Sequence, residues 1–302
     1  MIIDVHCHIW EPAVIRGGMR DLMDSVEREL HVRDPQSIRD GSSERLVRDM
    51  DAAGIDKTVV LPLDFEFLRG GDGFTFRDFN DLAARYATQH PTRIIPFAGV
   101  DPRRGAAAVA ELRRCVEELG FRGLKLWTVT GFRVDDERYY PLYEEAARLG
   151  ITVLVHTGLG PGESYLETCR PVYVDKIAVD FRELNFILAH AGTPWVEEAL
   201  AVAMKNPNVY VDVSAWQRPA RTFPLAFAQL LSMAKLLHGG VHKVLFGSDW
   251  PLFTEICSQP EWVESIRALE HPPALQLMGL PELTAADKAA ILGDNAQKLL
   301  RL

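Results

Sequence analysis

Short, nearly continuous apolar runs alternate along the chain with longer stretches in which apolar residues recur every three to four positions. Eight such runs, rich in Val, Ile and Leu, occupy residues 2–8, 57–64, 93–100, 121–128, 152–158, 186–192, 209–216 and 243–249. Runs without polar alternation predict strands buried on both faces, as in a parallel sheet. The amphipathic stretches predict helices over 43–53, 77–89, 106–119, 139–149 and 196–205. Gly54, Gly120 and Gly150 follow three of them, and Pro91 and Pro207 follow the other two. Glycine supplies a left-handed helix cap, and proline cannot continue a helix.

Strand starts lie 23 to 55 residues apart, and a βα unit needs about 30 residues. Eight units predict an α/β fold, a (β/α)8 TIM barrel. It forms one domain over 1–302, with a closing helix over 284–302 that opens on a Thr284–Asp287 capping box. The one oversized connection, residues 9–40, is expected to cover the top of the barrel.

In such barrels the chemistry sits at the C-terminal ends of the strands. Strand 1 ends in His6-Cys7-His8, strand 4 carries Lys125, strand 5 ends in His156, strand 6 in His190 and strand 8 in Asp249. Four of the nine histidines therefore converge on one rim with a lysine and an aspartate. Alternation along a strand puts His6 and His8 on the same side, toward the interior, and turns Cys7 toward the helices. Three imidazoles and a carboxylate make a mixed nitrogen and oxygen ligand set suited to Zn2+ or a similar divalent ion. With coordination positions left open, such a set activates water at neutral pH.

Composition removes several alternatives. The formal net charge is −9 and 47% of residues are hydrophobic, which excludes a disordered chain and argues against nucleic-acid or anionic-membrane partners. No stretch reaches the roughly 18 apolar residues of a membrane span, and the start of the chain lacks a signal-peptide pattern. Four scattered cysteines without a CxxC pair fit a reducing cytoplasm.

The segments DVHCH at 4–8, RGLKLW at 122–127, VLVHTG at 153–158, FILAHAGTP at 186–194, NPNVYVDVSAW at 206–216, LFGSDWP at 245–251 and ILGDNAQKLL at 291–300 resemble the amidohydrolase superfamily. The resemblance is to its "amidohydrolase 2" branch of metal-dependent TIM-barrel hydrolases, which also holds aminocarboxymuconate-semialdehyde decarboxylase-like enzymes. It implies that His6, His8, His156 and Asp249 ligate the metal and that Asp249 also takes a proton from the attacking water. His190 would act as acid, base or electrophile, or ligate a second ion. Lys125 stands where two-metal members carry a carboxylated lysine, which keeps a binuclear site open. Branch members are mostly mononuclear, so one ion is expected, Zn2+ first and Mn2+ second.

The loops that follow the strands hint at the substrate. Arg218 is the leading candidate for clamping a substrate carboxylate, with Arg103, Arg104 and Arg133 behind it. Trp10, Trp127, Trp216 and Trp250 end or follow strands and are candidates to stack on a planar substrate. The leading expectation is hydrolysis of a C–N amide or a lactone or ester bond in a small, carboxylate-bearing molecule. The alternative is non-oxidative decarboxylation of a small aromatic or dienoic acid at the same metal. Strand 6 continues as His-Ala-Gly-Thr-Pro, without the second glycine or acidic residue of the decarboxylase members, which favours hydrolysis. A non-catalytic metal-binding barrel is disfavoured by the intact ligand set. Barrels of this family are often dimers, so a homodimer stays open.

Overall fold

The computed structural model describes residues 1–69, 74–161 and 164–302. Eight parallel strands follow one another in sheet order: β1 Ile3–Cys7, β2 Lys57–Val60, β3 Ile94–Gly99, β4 Gly123–Leu126, β5 Thr152–Val155, β6 Asn185–Leu188, β7 Val209–Asp212 and β8 Val244–Leu245. Backbone bonds from Val5 N to Phe246 O (2.9 Å) and from Asp249 N to His6 O (2.7 Å) tie the last strand to the first. The result is the eight-stranded barrel that the apolar runs predict.

The helices α1 Gly17–Leu30, α2 Ser43–Ala53, α3 Phe76–Gln89, α4 Ala106–Glu117, α5 Tyr140–Leu149, α6 Val172–Asp180, α7 Val196–Lys205, α8 Pro224–His238 and α9 Gln259–Arg267 connect and surround the strands. Helices α2 and α7 have the predicted bounds. Helix α4 ends two residues early, because Glu118 and Leu119 unwind into the turn at Gly120, whose φ is 73°. The capping box at Thr284 and Asp287 is present and opens the closing segment. That segment runs from Ala285 to Leu300 through a π-helical turn at Ala290–Asp294.

Four of these nine helices, α1, α6, α8 and α9, lie outside the sequence expectation. Helix α8 is apolar around most of its girth, so it lacks the periodic contrast that marks an amphipathic helix. Helix α1 opens on Gly17-Gly18, poor helix formers, inside the long first connection. Its Met19, Leu22, Met23 and Val26 are buried, so the connection does cover the barrel mouth, as a helix rather than a loop.

Every strand pairs over a shorter span than its apolar run. Beyond Leu245, for example, Phe246 N bonds Ile291 O of the closing segment (3.0 Å) instead of continuing a ladder. The functional side chains lie at or just past these ends, where the backbone is free to turn. Strand β1 also breaks its own alternation. Ile3 and Val5 point into the barrel with Val59, Leu61, Phe97 and Leu154. A register shift between Asp4 and Cys7 then resets the phase, and His6 and His8 face inward after it. Such a bulge re-aims side chains at a barrel rim.

Candidate metal centre

Three of the four predicted ligands, His6, His8 and Asp249, meet, and His156 lies beside them outside that group. His6 Nε2 lies 3.5 Å and His8 Nε2 lies 3.1 Å from Asp249 Oδ1, and one ligand atom of each of these three residues falls within 4.8 Å of the others. His156 and His190 adjoin them, with His190 Nε2 at 3.2 Å from His156 Nδ1. All five side chains are buried. Asp249 and His190 reach this position through left-handed backbone, with φ of 55° and 60°. Non-glycine residues adopt that region at a cost of about 1–3 kcal/mol each. A carbonyl and a carboxylate hold them there: Asp249 N donates to His6 O, and His190 N donates to Asp212 Oδ1 at 2.9 Å.

Hydrogen bonds fix the ring tautomers. His8 Nδ1 faces the carbonyl of Leu61 at 3.0 Å and must donate to it. His6 Nδ1 donates to Asp212 Oδ2 at 2.9 Å. The Ser214 hydroxyl gives its proton to Asp212 Oδ1, so its oxygen accepts from His190 Nδ1 at 2.8 Å. His190 Nε2 is then an acceptor, and His156 Nδ1 donates to it. The Nε2 atoms of His6, His8 and His156 are left as lone pairs. His156 Nε2 and Asp249 Oδ1 are buried without a hydrogen-bond partner. A cluster of inward lone pairs is repulsive unless it shares a positive charge, a proton or a metal ion. His6, His8 and Asp249 therefore fit a divalent cation, with the unpartnered His156 Nε2 a further buried lone pair beside them.

The electrostatics keep the rings in ligand form. Burial, reinforced by the charge of Lys125, pushes His6 down to about 3. Burial and then the neighbouring His190 push His156 well below the usual histidine range. Burial alone would raise Asp212 and Asp249. For Asp212 the charge and hydrogen bond of His6 outweigh it; for Asp249 the contact with His8 and the charges of His6 and His190 do. Both carboxylates stay well below the ordinary carboxylate range.

Asp212 and Ser214 are functional residues the sequence reading missed. The signal was there: Asp212 is a carboxylate inside an apolar run, VYVDVSAW, and an acidic residue in a buried strand needs partners. The second cluster that could hold an ion, His6 with His190 and Asp212, is a hydrogen-bonded network instead, since Asp212 already accepts from His6, His190 and Ser214. Lys125 is buried with Nζ 3.3 Å from His6 Nε2, and burial lowers it to about 8. An ammonium there and a cation on the same nitrogen oppose each other.

Above this floor opens a cavity of about 510 Å3, lined by His8, His156, His190 and Asp249 below and mostly by apolar side chains above. Trp10 and Trp127 line it as expected, and Trp10 stacks on His8 with ring centroids 6.1 Å apart. Two other tryptophan expectations are corrected. Trp216 turns into the core against Phe227 and donates from Nε1 to His190 O at 2.9 Å. Trp250 is wholly buried and donates to Asp49 Oδ2 at 3.0 Å. Neither lines the cavity, because the backbone turns that follow β7 and β8 aim both indoles at the helix layer. Arg218 lines the cavity, yet its guanidinium donates to the carbonyls of Glu29 (3.3 Å) and Leu30 (2.6 Å) at the end of α1. Arg103, Arg104 and Arg133 pair with Asp101, Asp64 and Asp135, away from the cavity.

The sequence model of the amidohydrolase family matches residues 3–302. The γ-resorcylate decarboxylase of Polaromonas sp. (strain JS666) is 25% identical over 314 aligned positions, covering 86% of this chain and 87% of that protein. The 2-amino-3-carboxymuconate-6-semialdehyde decarboxylase of Dictyostelium discoideum is 33% identical over 157 positions, 51% of this chain and 41% of that one. Among solved structures, a dihydroxybenzoic acid decarboxylase from Polaromonas sp. JS666, with bound manganese and the inhibitor 2-nitroresorcinol, superposes with a TM-score of 0.66. It is 22% identical, and the match covers 100% of this chain and 97% of that one.

Proposed function

We propose that this chain, which belongs to the amidohydrolase family, is a metal-dependent decarboxylase of a small aromatic acid. The observation that carries the reading is the placement of the ligand set at the floor of an otherwise apolar, aromatic-walled cavity. The decarboxylases among its relatives support it. Hydrolysis, which the His-Ala-Gly-Thr-Pro segment favoured, rests on the family resemblance alone. Thr193 Oγ1 in that segment donates to His190 O at 3.0 Å, so its hydroxyl serves the loop.

His6, His8, His156 and Asp249 would hold one divalent ion. Manganese, present in the Polaromonas structure, now stands beside zinc as a candidate. When bound, the ion supplies a Lewis-acid centre for the oxygens of the acid. Trp10 and Trp127 enclose the ring and exclude water. Asp249 is the proton carrier, since its carboxyl lines the cavity. A proton held there passes to the ring carbon that bears the carboxylate. The C–C bond to the carboxylate then breaks, its electron pair restores the aromatic ring, and CO2 leaves. Asp249 returns as carboxylate and takes its next proton from solvent. His190 has both ring nitrogens engaged and holds His156 in register. Four buried thiols without a disulfide fit the reducing cytoplasm expected from the sequence.

The test is CO2 release from 2,6-dihydroxybenzoate and related hydroxybenzoates by the manganese-loaded protein. Asp249→Asn should lower turnover by about 10²–10⁴-fold. Cleavage of small lactones or amides with acid release, and no CO2 from any aromatic acid, would overturn the reading in favour of hydrolysis.

A further inference from the structure

Helix α1 contributes Leu22, Met23 and Val26 to the cavity wall, beside Leu252 and Phe253. The cavity offers about 510 Å3 and is open at its mouth. That is well beyond the volume of the ring, carboxylate and hydroxyls of a bare hydroxybenzoate. The surplus space is bounded by aliphatic and aromatic carbon. Among the described residues the wall carries one cationic side chain, Arg218, and one acidic side chain above the floor, Glu29. Both guanidinium nitrogens that bond do so to the last-turn carbonyls of α1. Arg218 therefore satisfies carbonyls that the helix leaves open and complements its dipole. It is a latch on the wall, and a second carboxylate on the substrate would meet carbon and Glu29 instead of a cation.

We infer that the substrate is a monocarboxylic aromatic acid with an uncharged apolar substituent opposite the reacting carbon, and that α1, held by Arg218, is the element that selects it. The inference rests on the decarboxylase reading for the carboxylate's place at the floor, and on the cavity wall for everything else.

Equilibrium binding to the manganese-loaded protein, read by quenching of Trp10 and Trp127 fluorescence, tests it with three probes: salicylate, 4-propylsalicylate and 2-hydroxyterephthalate. Each buried methylene is worth about fourfold, so 4-propylsalicylate should bind at least tenfold tighter than salicylate. The diacid should bind more weakly than either. Leu22→Ala and Val26→Ala should each shrink the propyl advantage about threefold or more, and Arg218→Gln should shrink it without further weakening the diacid. Equal binding of salicylate and its propyl derivative would overturn the inference. So would tight diacid binding that Arg218→Gln abolishes, which would restore Arg218 as a carboxylate clamp. A CO2 assay on the same probes separates the two readings. The predicted ranking without CO2 release would sink the reaction and keep the selectivity. CO2 release without the ranking would do the reverse.

Discussion

A single carboxylate, Asp212, sets the ring protonation of the candidate metal site without lining the cavity. One oxygen takes the His6 Nδ1 proton and the other takes the Ser214 proton and two backbone N–H groups. Asp212→Asn would put an amide donor against one of those protons and favour the His6 tautomer that cannot ligate. Partners of this kind are worth about 10–100-fold in metal affinity, so Mn2+ binding to this variant should weaken by about that factor. The His6 ring 15N shifts should change tautomer with it. Unchanged affinity would show that His6 does not depend on Asp212. Cys7 gives a second residue-scale expectation. Its thiol is fully buried beside Asp4 and Ser248, and burial raises it well above the usual thiol range. The native protein should resist Ellman's reagent at Cys7 until it unfolds, as the alternation at His6 and His8 implies. The histidines and Asp249 were legible in sequence because they end apolar runs, where polarity stands out. Asp212 and Ser214 lay within such a run and were passed over. The indoles of Trp216 and Trp250 were misplaced because sequence locates a strand end but not the backbone turn that aims the next side chain.

At the scale of elements, α4 and α5 are stapled by Arg113 to Glu145 (2.8 Å) and by Arg148 to both Glu145 and Glu117 (2.7 Å each). The hydrogen bonds of Arg148 and then Arg113 hold the Glu145 carboxyl down to about 2, from 4.5. A depressed carboxyl contributes stability that is full above its unfolded value, about 4.5, and fades as pH falls through about 2. Glu145→Gln should therefore lower the melting temperature at pH 7, and the gap to the unmutated protein should close on acidification toward pH 2. A gap that stays constant with pH would assign the loss to packing instead of charge. The element pattern is legible where contrast is strong: α2 and α7 have the ends their sequence predicts. Helix α1 was hidden by its glycine start, and with it the wall that now defines the cavity. No composition rule marks a helix whose apolar face covers a site rather than a core.

For the whole molecule, the ligand set couples stability to the cation. Lone pairs of His6 and His8 crowd Asp249 in a buried space, and an ion that binds only the folded chain stabilises it by mass action. At a thousandfold excess over its dissociation constant this is about 4 kcal/mol, or about 5–10 °C in a chain of this length. Calorimetry with and without chelator should show that difference, and a melting temperature indifferent to chelator would argue against a buried ion. The barrel was legible because eight runs at βα spacing admit few topologies. What surrounds it was less so, since the same strand ends serve many reactions.

The seam where β8 meets β1 places residue 249 beside residues 6 and 8. During translation, the aspartate leaves the ribosome some 240 residues after the first two imidazoles. A nascent or truncated polypeptide therefore owns most of the coordinating atoms yet cannot assemble them. With the proposed ligand set, fragments shortened before the seam should emerge metal-poor, which metal analysis of truncated chains would read.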